Sequence, residues 1–246
     1  MKDILMDIVT HTHSLGFLDI IRVNSEEETT IESMAEDRSV ILFAKTHQPV
    51  TEFSGMFGMP NLGKLALHLK NPEYKENAKI EVVESERNGV KVPTHLHFEN
   101  ETGDFENDYR FMSQQVVNEK LKTVTFKGSK WNVEFAPSVA AIQRMKLMSA
   151  AHTEETVFSV KTEKTGDVTD LIFSFGDAST HAGSFVFQAD VDGSLSHTWS
   201  WPVSQVQSIL NLAGDSKMSI SDQGAMQITV DSGLAEYKFI LPAQTK

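Results

Sequence analysis

The pattern nearest to a known chemical motif is a phosphate-binding loop at residues 58–64, GMPNLGK. Its glycine spacing matches that loop as far as Lys64, where the lysine would reach a phosphate. The next residue is Leu65, where the motif requires a Ser or Thr to bind magnesium, and Pro60 removes one backbone donor. The residues therefore disfavour a nucleotide site and favour the start of a helix that carries Lys64.

Two histidine pairs have a spacing that could serve a metal ion. His11 with His13, and His95 with His97, would each place two imidazoles on one side of an extended strand. No carboxylate or third histidine falls at a helpful spacing in the sequence, and the first pair follows a predicted helix. We therefore predict no metal site.

Other catalytic patterns are incomplete. Asp190, Asp192 and Gly193 resemble part of a calcium loop, but the twelfth position is Trp201 instead of the bidentate Glu, which favours a hairpin turn. No GxSxG elbow is present, and the absence of cysteine excludes thiolate nucleophiles, cysteine zinc sites and iron–sulfur clusters. Any catalysis would therefore have to use hydroxyl, carboxylate or imidazole groups, no residue is singled out for it, and we expect no cofactor.

Composition limits the class of protein. The chain has 246 residues, 40% of them hydrophobic, and its 22 Lys and Arg against 34 Asp and Glu give a net charge of −12. Asp3 and Asp7 interrupt the first apolar stretch, which suits neither a membrane span nor a signal peptide. We expect an intracellular protein without a membrane partner, whose average surface repels nucleic acid.

The acidic charge is not evenly distributed. Three stretches with helical patterning contain no Asp or Glu, and a polar face without carboxylates suits weak, sequence-independent contact with a phosphate backbone. The alternative is a solvated helix face that lacks acids by chance. The stretches are residues 58–72, 137–153 and 201–214, with the cations Lys64, Lys70, Arg144 and Lys146.

Most of the remaining sequence consists of short segments in which apolar and polar residues alternate, a pattern that predicts β-strands. The order of the predicted elements occurs twice. A helix, three strands, a second helix and a meander occur before residue 114 and again after residue 131. The segments NDYRFMS and AEYKFILP align Tyr109 with Tyr237. We predict two copies of one α+β unit, residues 1–116 and 131–246, joined by a lysine-containing connector at 117–130; the alternative is another strand within one large domain.

In this order and pattern the chain resembles the sliding clamps of DNA replication, especially the trimeric type of phages, archaea and eukaryotes. The resemblance covers nearly the whole chain and is most visible in SQVQSILNLAGDSKMSISDQGAMQITVDSGLAEYKFILPAQ. It implies an α+β fold of two repeated clamp domains, with antiparallel sheets outside and helices lining a central ring. The divergence from cellular clamps favours a tailed bacteriophage, in which case the protein would act in the host cytoplasm.

The resemblance implies three sets of site residues. Residues that would face DNA are Lys64, His68, Lys70, Arg144 and Lys146, with Lys217 beyond the fourth helix. Partner peptides would dock where the connector residues Val116, Val117, Leu121 and Trp131 approach Leu241, Pro242 and Ala243. The strand DYRFMS of one subunit would pair with SFVFQAD of the next, through Tyr109, Phe111, Ser184, Val186 and Gln188.

The implied function is non-enzymatic. A homotrimer would encircle duplex DNA without sequence preference and tether the replicative DNA polymerase, and an ATP-dependent clamp loader would open the ring. One feature departs from the family pattern, because Asp3 and Asp7 lie opposite the apolar stripe of the first helix and would face DNA. The alternative function is an acidic, β-rich structural or ligand-binding module such as a virion component.

Overall fold

The computed structural model describes residues 1–75, 77–87, 89–122, 126–177, 179 and 181–244. The chain divides into two compact units, one of residues 1–125 with 232–237 and the other of residues 126–231 with 238–246. The division in the middle of the chain falls within the predicted connector, of which residues 123–125 lie outside the described residues. No described helix is long and apolar enough to cross a membrane.

The described residues of unit 1 form three α-helices, two short 3-10 helices (His13–Leu15 and Pro72–Tyr74) and two antiparallel sheets. One sheet has the order β8-β4-β1-β2-β3, with residues 235–237 beside β3, and the other has the order β5-β6-β7. The elements are α1 (Lys2–His11), β1 (Ile21–Ser25), β2 (Thr29–Met34), β3 (Ile41–Thr46), β4 (Gly55–Met59), α2 (Leu62–Lys70), β5 (Lys79–Arg87), β6 (Val90–Glu99), β7 (Glu106–Arg110), β8 (Met112–Ser113) and α3 (Gln114–Lys120).

Unit 2 contains two helices and two antiparallel sheets. One sheet has the order β12-β11-β10-β13, and in the other β9, β14, β15 and the second half of β16 follow one another. The elements are β9 (Val133–Phe135), α4 (Val139–Ala151), β10 (Val157–Thr165), β11 (Val168–Phe175), β12 (Gly183–Gln188), β13 (Trp199–Pro202), α5 (Val203–Leu210), β14 (Asp215–Ser221), β15 (Ala225–Asp231) and β16 (Ala235–Pro242).

The predicted duplication is confirmed by the order and pairing of these elements. In each unit a helix precedes four strands, and a second helix precedes a meander. The four strands pair as β4-β1-β2-β3 in unit 1 and as β13-β10-β11-β12 in unit 2. The prediction of three strands between the first and second helices of each repeat was wrong, because there are four. The additional strands β4 and β13 are short apolar segments just before a helix, and their apolar and polar residues do not clearly alternate.

Helical spacing in the sequence predicts one buried stripe of Leu62, Leu65, Ala66 and Leu69 and another of Ile142, Met145 and Met148. In α2 the buried residues include Leu62, Leu65 and Leu69. In α4, however, Ala141 and Met145 are buried, whereas Ile142 and Met148 are only partly covered. Helix α4 therefore packs through a narrower stripe than predicted and exposes more of its surface to solvent.

Helix α3 lies across the predicted start of the connector and packs on unit 1. Its Val117 is fully buried and packs against Gly58 in β4, where an added Cβ would lie 2.7 Å from the Val117 Cβ. The glycine that resembled part of a phosphate-binding loop therefore serves close packing. Lys64, at the other end of that pattern, lies in the first turn of α2.

The predicted hairpin at Asp190 is wrong. The segment connects β12 to β13, but β12 pairs with β11 and β13 pairs with β10. Asp190 has a positive φ of 50°, and its backbone N–H donates to the Asp170 carboxylate at 3.0 Å. This loop therefore crosses between two non-adjacent strands of one sheet.

Candidate nucleic-acid interface

Helix α2 presents two of the predicted DNA-facing cations on its solvent side. Its leucine stripe is buried in unit 1, so the opposite face carries Lys64, Leu67 and Lys70 in exposed positions. No ion pair between described residues involves either lysine, and Leu67 is 72% exposed. The face is therefore cationic at two points and apolar between them.

His68 lies on the flank of this face. Its ring stacks on Phe98 of β6 with centroids 5.2 Å apart. Partial burial, together with the nearby charge of Lys64, lowers the pKa of His68 below its usual value of 6.5. At neutral pH His68 is therefore an uncharged hydrogen-bonding group and adds no positive charge to the face.

Helix α4 supplies the other two predicted cations. Ser138 caps its N-terminus, and the Ser138 hydroxyl accepts a hydrogen bond from the Ala141 N–H at 3.1 Å. Arg144 is exposed and Lys146 is half-exposed, and no ion pair between described residues involves them. Leu147 on the same helix is 71% exposed. Both α2 and α4 thus combine uncompensated cations with exposed leucine and carry no acid.

Helix α5 contributes neutral polar groups only. Ser204 and Asn211 are exposed. Gln207 is directed inward instead, because its amide donates to the Ser149 hydroxyl at 2.6 Å and fixes α5 against α4. The polar face that the sequence predicts on α5 is therefore narrower in the structure.

Lys217 lies apart from this pattern. It is on strand β14, and its ammonium is 2.7 Å from the Glu134 carboxylate on β9. That hydrogen bond lowers the pKa of Glu134. Because its charge is already compensated by Glu134, we remove Lys217 from the proposed DNA face.

Asp7 does not lie on an exposed face of α1, which corrects the expectation that it would point at DNA. Its side chain is 11% exposed and accepts hydrogen bonds from the Tyr237 hydroxyl at 2.8 Å and the Ser232 hydroxyl at 2.9 Å. Burial by itself would raise the pKa of Asp7, but hydrogen bonds from His11, Tyr237 and Ser232 outweigh it, so the pKa is lowered. Asp3 remains exposed.

Two predicted peptide-binding residues belong to the core. Val117 and Leu241 are fully buried, which corrects their assignment to a docking surface, whereas Leu121 is 8% exposed and lines an open cavity. The Leu241 carbonyl accepts a hydrogen bond from the Trp201 indole at 3.0 Å. The remaining members of the set, Val116, Trp131, Pro242 and Ala243, are exposed or half-exposed.

Unit 1 contains a cavity that no sequence pattern indicates. It has a volume of about 920 Å³ and is open to solvent. Phe17, Ile20, Met34 and Leu121 give it an apolar lining. Its charged lining residues are Asp19, Glu36, Asp37, Arg38, Lys120 and Lys122. No spacing in the sequence signals this cavity, because three separate segments meet to form it.

Two strands end their sheets and carry the predicted subunit contacts. Among the described strands, β7 pairs only with β6 and β12 pairs only with β11. The Tyr109 side chain is buried and donates to the Pro60 carbonyl, so only its backbone can reach a neighbouring strand. Phe111, Val186 and Gln188 are half-exposed, and Ser184 is exposed.

The histidine pair on β6 is closer to carboxylates than the sequence suggests. Asp108 on β7 lies opposite His97, with 3.0 Å between Oδ1 and His97 Nδ1 and 3.4 Å to His95 Nε2. The bond from His97 lowers the pKa of Asp108. Nevertheless, no group of three or more potential ligands among the described residues has an arrangement that could hold a metal ion.

Comparison with known proteins identifies the fold. No protein-family model matches the chain, and no curated protein sequence matches it. The structure is similar to the A. fulgidus PCNA bound to the C-terminal region of FEN-1, with a TM-score of 0.69, 10% identity and coverage of 100% of this chain and 97% of that one.

Two further solved structures agree. PCNA from Thermococcus kodakaraensis gives a TM-score of 0.67 at 11% identity, over 98% of this chain and 97% of that one. Proliferating Cellular Nuclear Antigen from Entamoeba histolytica gives a TM-score of 0.64 at 11% identity, over 99% of this chain and 94% of that one. The chain therefore has the α+β fold of the PCNA sliding clamps over its full length.

Proposed function

We propose that this chain is a DNA sliding clamp, in which several copies form a closed ring around duplex DNA. The proposal depends on two observations: the clamp fold, and the acid-free, cationic faces that α2 has in unit 1 and α4 has in unit 2, in a chain of net charge −12. The protein makes and breaks no bond in this function. Its role is topological, since a ring that encloses DNA needs only weak contacts to remain bound.

The proposed DNA face consists of Lys64, Lys70, Arg144 and Lys146, with His68 as a neutral neighbour. Unpaired cations attract phosphates, and the absence of carboxylates on these helices removes local repulsion. Only one of these residues, Arg144, is an arginine, so we propose contact with phosphates and binding that is independent of sequence. The acidic remainder of the surface would discourage binding to DNA from outside the ring.

Ring closure is proposed to use the unpaired edges of β7 and β12. In the duplicated order β16 is equivalent to β7, and β12 is equivalent to β3. In unit 1, residues 235–237 of β16 lie beside the edge of β3. The equivalent edge of β12 has no such neighbour among the described strands. Pairing of β7 from one copy with β12 of the next would repeat the β16–β3 arrangement and generate a head-to-tail ring. We propose a homotrimer.

Tethering is proposed to occur at the cavity in unit 1. The similar A. fulgidus PCNA is bound to the C-terminal region of FEN-1, a peptide segment of a partner. A replicative polymerase held by such a segment would have a high effective concentration at the primer end. An ATP-dependent loader would be needed to open the ring, and a tailed bacteriophage remains the proposed source.

Retention on circular DNA tests the function. The protein is loaded with a cognate or heterologous clamp loader onto a nicked plasmid and separated from free protein by gel filtration in high salt. We expect it to stay with the circle and to be released when a restriction enzyme linearises the plasmid, because only a linear molecule has ends. Release at the same rate from circular and linear DNA would overturn the clamp proposal and favour the acidic structural module.

A further inference from the structure

We propose that Leu67 of α2 and Leu147 of α4 make apolar contacts with the deoxyribose rings of duplex DNA, so that part of the DNA affinity does not depend on salt. The inference rests on the proposed function and adds a second kind of contact to the proposed DNA face, which otherwise depends on its cations. It starts from the positions of the most exposed large hydrophobic side chains among the described residues.

These side chains are concentrated on the two helices that carry the proposed DNA-facing cations. Among the described residues, three large hydrophobic side chains are more than 70% exposed, and all lie on α2 or α4: Leu67 at 72%, Leu147 at 71% and Val139 at 76%. Helices α1 and α5, which are described along their whole length, expose no large hydrophobic side chain. A single exposed leucine is ordinary, but its coincidence with cations on two separate helices indicates a common ligand.

The exposed leucine of α2 lies between two cations. Lys64, Leu67 and Lys70 follow one another at intervals of three residues, so each is rotated by about 60° from the next and displaced by about 4.5 Å along the helix axis. The packing of α2 uses the opposite side of the helix, where Leu65 and Leu69 are buried. A polyanion that binds both ammonium groups would therefore pass over Leu67.

The exposed leucine of α4 has an equivalent arrangement. Around the helix axis Leu147 lies about 60° from Arg144 and about 100° from Lys146, in the sector between them. The core contact of α4 is made by Met145, which is fully buried. Val139, at the first position of the helix, has no Lys or Arg within four residues in the sequence and is left out of the proposal.

A duplex satisfies both kinds of group on these helices. Its phosphates attract the cations, and the deoxyribose rings that connect the phosphates offer C–H groups to a leucine between those cations. Every nucleotide has such a ring, so the contact keeps binding independent of sequence. A membrane surface would require a wide apolar helix face, and a protein partner would require a larger patch than one leucine on a convex helix.

Salt titration separates the apolar contribution from the electrostatic one. The variant Leu67→Ala with Leu147→Ala should preserve both helices, because alanine and leucine are both strong helix formers. Binding of a fluorescent duplex to the full-length protein is measured from low to high salt. We expect the variant to bind about tenfold more weakly at every salt concentration, with an unchanged slope of log affinity against log salt, because counterion release depends on the cations.

Two matched variants serve as controls, and urea unfolding of each protein confirms that it is folded. Leu67→Met with Leu147→Met keeps apolar side chains of similar volume and should bind the duplex as the wild type does. Val168→Ala with Leu234→Ala shortens two side chains that are each 43% exposed outside α2 and α4, and should also bind as the wild type does. An unchanged affinity of the Leu67 and Leu147 alanine variant, a changed salt slope, or an equal loss in the Val168 and Leu234 control would overturn the inference.

Two further measurements keep this inference distinct from the clamp function. Wild type and the Leu67 and Leu147 alanine variant are loaded onto a nicked circle, and both should be retained, because enclosure does not require the leucines. Retention of both with equal duplex affinity refutes only the apolar contact, whereas failure of wild-type retention refutes the clamp itself. Both proteins are also mixed with vesicles of phosphatidylserine and phosphatidylcholine. Vesicle binding by the wild type that the alanine variant loses would assign the leucines to a membrane and overturn the inference.

Discussion

The Tyr237 hydroxyl donates a 2.8 Å hydrogen bond to the Asp7 carboxylate, which joins the last strand to the first helix across 230 residues of sequence. The two residues are linked again through His11, whose ring stacks on that of Tyr237 with centroids 4.3 Å apart. Burial and the charge of Asp7 raise the pKa of Tyr237 above its usual value, so its hydroxyl remains a donor at physiological pH.

Removal of this donor should weaken unit 1. A hydrogen bond to a charged, buried partner contributes about 1.5–3 kcal/mol, so Tyr237→Phe should lower the free energy of unfolding by that amount. Urea denaturation followed by circular dichroism measures the change. Asp3→Asn is the matched control, because Asp3 is exposed on the same helix and should change stability by less than about 0.5 kcal/mol. An equal loss in both variants would contradict the role of the buried carboxylate.

The same carboxylate should make stability depend on acid pH. Because the folded pKa of Asp7 lies below the ordinary value of 3.8, its contribution is fully present above that value and is lost as pH falls through the folded pKa. The difference in unfolding free energy between wild type and Asp7→Asn should therefore be constant from pH 7 to about 5 and shrink below about 4. If this difference instead grows on acidification, the predicted lowering of the Asp7 pKa in the folded protein is wrong.

Gly58 should tolerate no side chain. An added Cβ would lie 2.7 Å from both Cβ and Cγ2 of Val117, so Gly58→Ala should cost about 1–3 kcal/mol through overpacking. Combining it with Val117→Ala removes the Cγ2 but keeps the Cβ, so the clash is relieved in part and the double variant should be more stable than the sum of the two single effects predicts. Strict additivity in this double-mutant cycle would exclude the predicted clash.

Charge reversal on the proposed DNA face should impair DNA binding without unfolding the protein. Lys64→Glu, Arg144→Glu and Lys146→Glu together should reduce the slope of log affinity against log salt for a duplex by about three, one for each lost phosphate contact. Lys217→Glu is the control for an exposed lysine already paired with Glu134. Normal retention of the triple variant on a nicked circle would refute the assigned face.

Charges on the edge of β12 should prevent assembly. Ser184→Lys with Val186→Lys places two cations on β12, whose second edge has no partner among the described strands, and these charges disfavour pairing with another edge. Light scattering should then give the mass of one chain instead of the assembled wild type. The control Thr165→Lys adds an exposed cation at the end of β10, an inner strand of the sheet, where it pairs with β11. An unchanged mass in the β12 variant would exclude this edge from the interface.

The sequence alone determined the repeated α+β order and the charge segregation of the helices. Hydrophobic periodicity reports the buried face of α2 through Leu62, Leu65 and Leu69, because spacing along one helix fixes which side chains share a face. The absence of acids from these helices is likewise visible without coordinates. For the same reason, Lys64 and Lys70 are found on the solvent side that the leucine pattern predicts.

Tertiary structure decided which of those residues remain available for contact. Asp7 and Gln207 both lie opposite apolar stripes, yet each is turned inward by partners from distant segments, Tyr237 and Ser149. Val117 and Leu241 were expected at a surface and are buried in the core. Local spacing carries no information on these contacts, since a hydrogen bond or cavity between segments far apart in sequence depends on how the chain packs.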